Sequence, residues 1–243
     1  MPVILLLLAG LSGPLICSAQ KFEIQLSEHS ARGSETLITA DDPSCWYTGR
    51  TRINADGSRS FDWEGTQLWV NLQGASYAKI LVNVTGNMVG RFSIEANGVE
   101  VSLIAVGGCD TPGVCDSSET TEFLVAQDLK GNTTIRVISI LEPAFGNAGP
   151  TSTLTFLGWK TDGKAGPAGP RRRRKIELVG DSISAGYGSR GDAALHAANV
   201  CPVNQNTCGN KYTYNWKIAE HFQADIVPIA WSGKGMYRNC CDM

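Results

Sequence analysis

Gly180-Asp181-Ser182 places a candidate hydroxyl nucleophile where a short apolar stretch over 176–179 runs out. A serine at the end of a buried strand and the start of a helix can project its hydroxyl into a crevice. Its own backbone N–H can then face a developing oxyanion. Gly180 allows a tight turn, and Ala185, Gly186 and Gly188 keep the mouth of such a site open. About fifty residues on, Ser232, Gly233 and Gly235 follow a second apolar stretch over 225–230. Taken alone, Gly-Asp-Ser also suits a βα turn in which Asp181 and Ser182 cap a helix. A serine nucleophile needs a base to remove its proton. The three histidines, His29, His196 and His221, each sit among neighbours typical of a surface or satisfied imidazole.

Positioning these groups requires a parallel sheet. Residues 212–222 carry Trp216, Ile218, Ala219 and Phe222 at helical spacings, with Thr213 as N-cap. Strand, helix, strand implies a right-handed crossover and a parallel pair, whose ligands gather at the carboxyl ends of the strands. Upstream, residues 37–160 alternate in the manner of half-buried strands. Leu68, Val70 and Leu72 share one face, and Ile80, Val82 and Val84 share another. Asn97-Gly98 between alternating runs is a two-residue hairpin signal, since both residues tolerate positive φ. These short strands predict an all-β sandwich of jelly-roll type. Residues 161–174 read as a linker rich in Gly and Pro, closed by Arg171 to Lys175. That basic run admits three readings: a solvated linker end, a convertase cleavage site, or a contact for an anionic polysaccharide or membrane.

Composition narrows the classes. The chain has 243 residues, 42% hydrophobic and 18% charged, which suits neither a disordered chain nor a polytopic membrane protein. The 21 Lys and Arg against 23 Asp and Glu leave a net charge of −2, so no basic field favours nucleic acid. Residues 1–19 read as a secretory signal cut after Ala19, too short in its apolar core to span a bilayer. A buried N-terminal strand is the alternative. Eight cysteines agree with export. Cys109 with Cys115, and Cys201 with Cys208, are spaced for local disulfides, and neither pair has the Cys-x-x-Cys spacing of zinc sites. Cys45, Cys240 and Cys241 are left over. Asn83 and Asn132 begin glycosylation sequons. No metal or cofactor motif appears.

Residues 175–188, with Gly180-Asp181-Ser182-Ile183-Ser184-Ala185-Gly186-Tyr187-Gly188 at their centre, resemble the first block of SGNH (GDSL-type) hydrolases. Residues 229–235 resemble the second. The form Ser-Gly-Lys-Gly, the helix before it, and two islands upstream (Tyr47-Thr48-Gly49-Arg50 and Phe61-Asp62-Trp63-Glu64-Gly65) are similar to carbohydrate esterase family 2. The resemblance implies a jelly-roll domain followed by the first part of a flavodoxin-like α/β hydrolase domain, 175–243, and hydrolysis of acyl esters on polysaccharides or sugars. It implies Ser182 as nucleophile and oxyanion donor, Gly233 as second donor with Gly235 as the neighbouring alternative, and Asp181 as a supporting residue that holds the turn.

The family's third block, with an oxyanion Asn, and its final Asp-x-x-His block find no counterpart here. The expectation is therefore a C-terminally truncated esterase, inactive as it stands, with an unpaired apolar edge on its parallel sheet. Two other readings remain. One is a carbohydrate-binding sandwich using Trp46, Tyr47, Trp63 and Trp69. The other is a pseudo-esterase that keeps the serine crevice only for binding.

Overall fold

The computed structural model describes residues 34–85, 89–107, 120–143, 153–191, 206–235 and 237–239. All belong to one compact unit, Ala31–Met243. The expected signal segment, His29, His196, Cys109, Cys115, Cys201, Cys240 and Cys241 lie outside the described residues.

Among the described residues there are fourteen strands. β1 (Thr36–Thr39), β3 (Arg52–Ile53), β4 (Arg59–Phe61), β6 (Tyr77–Thr85), β9 (Thr121–Gln127) and β11 (Thr153–Thr161) form one antiparallel sheet, in the order β3-β4-β11-β6-β9 with β1 also on β11. β2 (Cys45–Thr48), β5 (Gln67–Gln73), β7 (Val89–Ala96), β8 (Val99–Gly107), β10 (Asn132–Ser139) and β12 (Lys164–Ala165) form the second, in the order β12-β5-β10-β7-β8 with β2 on β5. The two sheets pack face to face as a jelly-roll-like sandwich. The expected alternation holds: Leu68, Val70 and Leu72 of β5 and Ile80, Val82 and Val84 of β6 all point into its core. Phe156, Trp159 and Phe92 fill the centre. Asn97 and Gly98 turn the β7–β8 hairpin with φ of 51° and 81°, the positive values their types allow.

β13 (Arg174–Gly180) and β14 (Ala224–Ala230) form a separate parallel pair, in register from Arg174↔Ala224 to Gly180↔Ala230. Between them lie α1 (Ser182–Ala185), a 3-10 turn (Asn210–Tyr212) and α2 (Tyr214–His221). Thr213 does occupy the N-cap of α2, but its hydroxyl donates back to the Asn210 carbonyl at 2.8 Å and leaves the helix amides uncapped. Trp216 and Ala219 are buried as their spacing predicts; Ile218 and Phe222, on the far side, are exposed.

The α/β part sits on the outer face of the second sheet. β10 therefore buries both faces, Ile135 and Val137 into the sandwich and Ile138 onto Trp216, Ala219 and Ile226. Arg136, on this outer face, bonds Glu95 at 3.0 Å and Gln67 at 3.0 Å, and its guanidinium lies over Trp69 and Trp216. Lys211 also reaches Glu95, at 2.7 Å.

Two expectations are corrected. Residues 161–174 are docked along the second sheet: β12 pairs with β5, Gly166 N–H donates to Asn71 O at 2.8 Å, and Asn71 Nδ2 donates to Pro167 O at 2.6 Å. Gly and Pro still leave room for a two-residue ladder where a strand edge offers partners. Arg172, within the basic run, donates to Ala224 O at 2.8 Å and pairs with Glu220 at 3.3 Å. Second, β13 has no fully buried residue. It forms one edge of the pair, and only β14 faces the sandwich. Cys45 is buried as a free thiol. Cys208 is buried too, its sulfur accepting from Gly188 N–H.

Candidate functional site

The parallel register fixes what meets what. Gly180 stands opposite Ala230, so Asp181-Ser182 and Ser232-Gly233 leave the sheet at the same carboxyl end. Asp181 is the N-cap of α1, and its Oδ1 accepts from Ile183 N–H at 3.1 Å. Ser182, the first helical residue, is half-buried. No described side chain bonds its hydroxyl, and its amide is one of the helix-start donors without an internal partner. Gly180 is needed for space: a Cβ there would overlap the Ser184 hydroxyl. Its φ is not among the positive values, so the tight-turn argument gives way to one of close approach.

The two candidate second donors differ. Gly235 N–H is engaged, donating to Asn239 Oδ1 at 3.4 Å. Gly233, half-buried at φ 76°, has no acceptor for its amide among the described residues. A cavity of about 550 Å³ opens beside these loops, with Asp181, Ser184, Tyr214, Trp63, Trp231 and Gly235 in its wall. Ser182 and Gly233 are sequence neighbours of this wall rather than parts of it.

Several residues here have contacts that the sequence did not assign. Ser184 and Tyr214 share a hydroxyl–hydroxyl bond of 2.8 Å that ties α1 to α2. The Ser184 carbonyl accepts from Asn210 Nδ2 at 2.7 Å and Asn215 Nδ2 at 2.8 Å, both side chains fully buried. Asn210 reaches on to Glu64 of the sandwich at 3.4 Å. Glu64 is 1% exposed. Burial, reinforced by the nearby Glu142 carboxylate, pushes its carboxyl up to about 10, so at neutral pH it is an uncharged acid able to donate. Glu142, 2% exposed, accepts from Ser232 N–H at 2.6 Å and from the Ser232 hydroxyl at 2.5 Å. Trp63 crosses from the sandwich as well. Its Nε1 donates to Pro228 O at 2.7 Å, and its ring meets Trp231 edge to face, centroids 5.7 Å apart. Gly65 lies so close to Pro228 that any Cβ would collide with that ring, and its φ of 72° suits glycine. The contacts that cross to the sandwich join residues 90 to 168 apart in sequence, beyond the reach of any local pattern.

Of the three histidines, His221 alone is among the described residues. His221 lies at the C-terminus of α2, where the chain turns into the amino end of β14. Seven strand residues, roughly 20 Å at about 3.3 Å each, separate that end from the Ser182 end. Among the described residues no cluster of three His, Cys, Asp or Glu side chains could hold a metal ion.

No family model matches the chain. An acetylxylan esterase/glucomannan deacetylase of Cellvibrio japonicus is 24% identical over 86% of this chain and 52% of its own length. A carbohydrate esterase plus carbohydrate-binding domain from Corynascus thermopiles (Myceliophthora fergusii) superposes with a TM-score of 0.60 at 27% identity, covering 81% of this chain and 51% of that one. The neighbours are family two carbohydrate esterases. Another esterase of family two, from Clostridium thermocellum and solved with cellohexaose, gives a TM-score of 0.66 at 21% identity, covering 80% of this chain and 53% of that one. The chain spans 22% to 52% of the lengths of the curated relatives it matches.

The likeness extends over 80% to 86% of this chain, and the island around Trp63 is where the sandwich meets the strand–helix–strand part. Of the four aromatic residues of the alternative sugar-binding face, Trp46 is 6% exposed and stacks on Trp69 with centroids 5.4 Å apart, Arg136 also lies against Trp69, and Tyr47, Trp63 and Trp69 are half-buried.

Proposed function

We propose that this is the N-terminal portion of a secreted SGNH-type carbohydrate esterase that hydrolyses acyl, above all acetyl, esters on a polysaccharide. Ser182 is the nucleophile. The amides of Ser182 and Gly233 are the oxyanion donors, and Asp181 holds the turn. The observation that carries the reading is the convergence of Ser182 and Gly233 at one end of a parallel pair, each with an unclaimed amide, beside a cavity walled by Trp63 and Trp231. A tetrahedral oxyanion bound by preorganised amides gains roughly 3–4 kcal/mol per donor. The engaged amide of Gly235 favours Gly233 in that role. The relatives' names, and cellohexaose in one relative's structure, support a carbohydrate as substrate. No imidazole stands beside Ser182 among the described residues, and the Asp-x-x-His block that the resemblance calls for has no counterpart in residues 1–243, so this chain alone is expected to turn over little ester.

Hydrolysis of 4-nitrophenyl acetate and of acetylated xylan tests the reading. The full-length gene product is expected to cleave both, and Ser182→Ala to lower kcat by at least about 10³-fold. Full activity in Ser182→Ala sinks the assignment. Secretion predicts cleavage after Ala19 and a glycan on Asn132, which is exposed. Asn83 is less accessible, its amide oxygen buried. Removal of N-glycans should shift the secreted protein's mass, and Asn132→Gln should abolish most of that shift.

A further inference from the structure

Both oxygens of the Glu142 carboxylate are spent on one residue, the Ser232 amide at 2.6 Å and the Ser232 hydroxyl at 2.5 Å. Among the described residues no cation pairs with this nearly inaccessible acid, and a second buried carboxyl, Glu64, lies close enough to feel its charge. Such an arrangement is expensive, since a buried charge is normally matched by an opposite one. An apolar side chain at 142 and an alanine at 232 would hold the seam at less cost. The expense makes sense for what it fixes. Gripping Ser232 at both N and Oγ pins its φ and χ1. Only ψ then remains to set the plane of the next peptide, whose N–H belongs to Gly233.

We propose that Glu142 is a positioning residue, by which the sandwich holds Ser232 at two atoms and so aims the Gly233 amide at the reacting oxygen. The inference rests on the esterase reading for the oxyanion, and on the geometry alone for the grip. It gives the jelly-roll a part in the chemistry without touching substrate. Glu142 lies 90 residues before the serine it holds.

The test pairs kinetics with a direct view of the amide. In the full-length gene product, Glu142→Ala should lower kcat for 4-nitrophenyl acetate about 100-fold, the effect of losing one oxyanion donor, with KM within about threefold. Glu142→Gln, which keeps one acceptor oxygen, and Ser232→Ala, which keeps the amide contact, should each lose about tenfold. Ser232→Ala leaves the buried acid in place, so it reads the grip even if Glu142→Ala folds poorly. In the 243-residue chain, nitrogen–proton spectra should show the Gly233 amide displaced and exchanging at least about tenfold faster in Glu142→Ala than in the native chain. Wild-type kcat in both Glu142→Ala and Ser232→Ala, while Ser182→Ala is dead, would overturn the proposal, as would a loss confined to KM or an unchanged Gly233 amide. Absence of hydrolysis in the native full-length protein removes the esterase reading and the oxyanion role with it; the Gly233 amide then reports separately on the grip.

Discussion

In the sandwich, side chains from two sheets close over one another, and residues such as Ile80, Val82, Leu154 and Phe156 have no exposed surface. In the strand–helix–strand part, β14 buries every second residue, β13 buries none fully, and Val179 and Ile183 are largely exposed. Its small core of Trp216, Ala219 and Ile226 is completed by Ile138 and Ile140, which the sandwich supplies. The first region closes its core with its own side chains. The second borrows its floor, and the site sits on the borrowed floor.

The sharpest way to break this comparison is to open the donor. Phe156→Ala should cost about 3–5 kcal/mol of stability. Urea melts followed by far-ultraviolet signal and by Trp216 environment should shift together, because the α/β core cannot outlive its floor. Separate transitions would show that the second region stands alone.

The seam itself offers a smaller, pH-dependent handle. Glu64 keeps its proton in the fold up to about 10, whereas an unfolded chain releases it near the ordinary carboxylate value of 4.5. The folded state therefore binds more protons over that window, and stability falls as pH rises through it. The melting temperature difference between Glu64→Gln and the native chain should be near zero at pH 4 and grow in favour of the variant towards pH 9. The gain should be on the order of a few kcal/mol. A difference that does not change with pH would mean that Glu64 is ionised in place.

The smallest effect belongs to the outer strand. Val179→Ala should change stability by no more than about 0.5 kcal/mol, as exposed positions do. A loss of about 2 kcal/mol or more in the full-length protein, but not in residues 1–243, would show that further chain covers β13.

Local pattern read much of this molecule. The alternation of β5 and β6, the Asn97-Gly98 turn and the helix around Trp216 all depend on neighbours a few residues apart, and each formed where the period placed it. What failed were statements about who lies opposite. The segment over 161–174 looked like a spacer because Gly and Pro disfavour long ladders, yet an open edge on β5 accepted two residues of it. β10 looked like a strand with one dry face, and Ile138 and Arg136 became its second dry face only because α2 lands there. For the site, the serine and the glycine carry motifs. Glu64, Glu142 and Asn210, which brace them, are ordinary polar residues whose partners are set by folding, and nothing adjacent to them in the chain announces it.

The docking of Trp63 onto Pro228 has a consequence for how such proteins can change over time. A β-sandwich stitched to its neighbour by an indole, two buried acids and an arginine is a poor candidate for shuffling between genes. Transplanted alone it would carry Glu64 and Glu142 into water with their partners Asn210 and Ser232 gone, and would uncover Arg136 where Trp216 had lain against it, so the recipient would gain a sticky, charged scar instead of a module. Descent in this architecture should run through the pair as a single heritable piece.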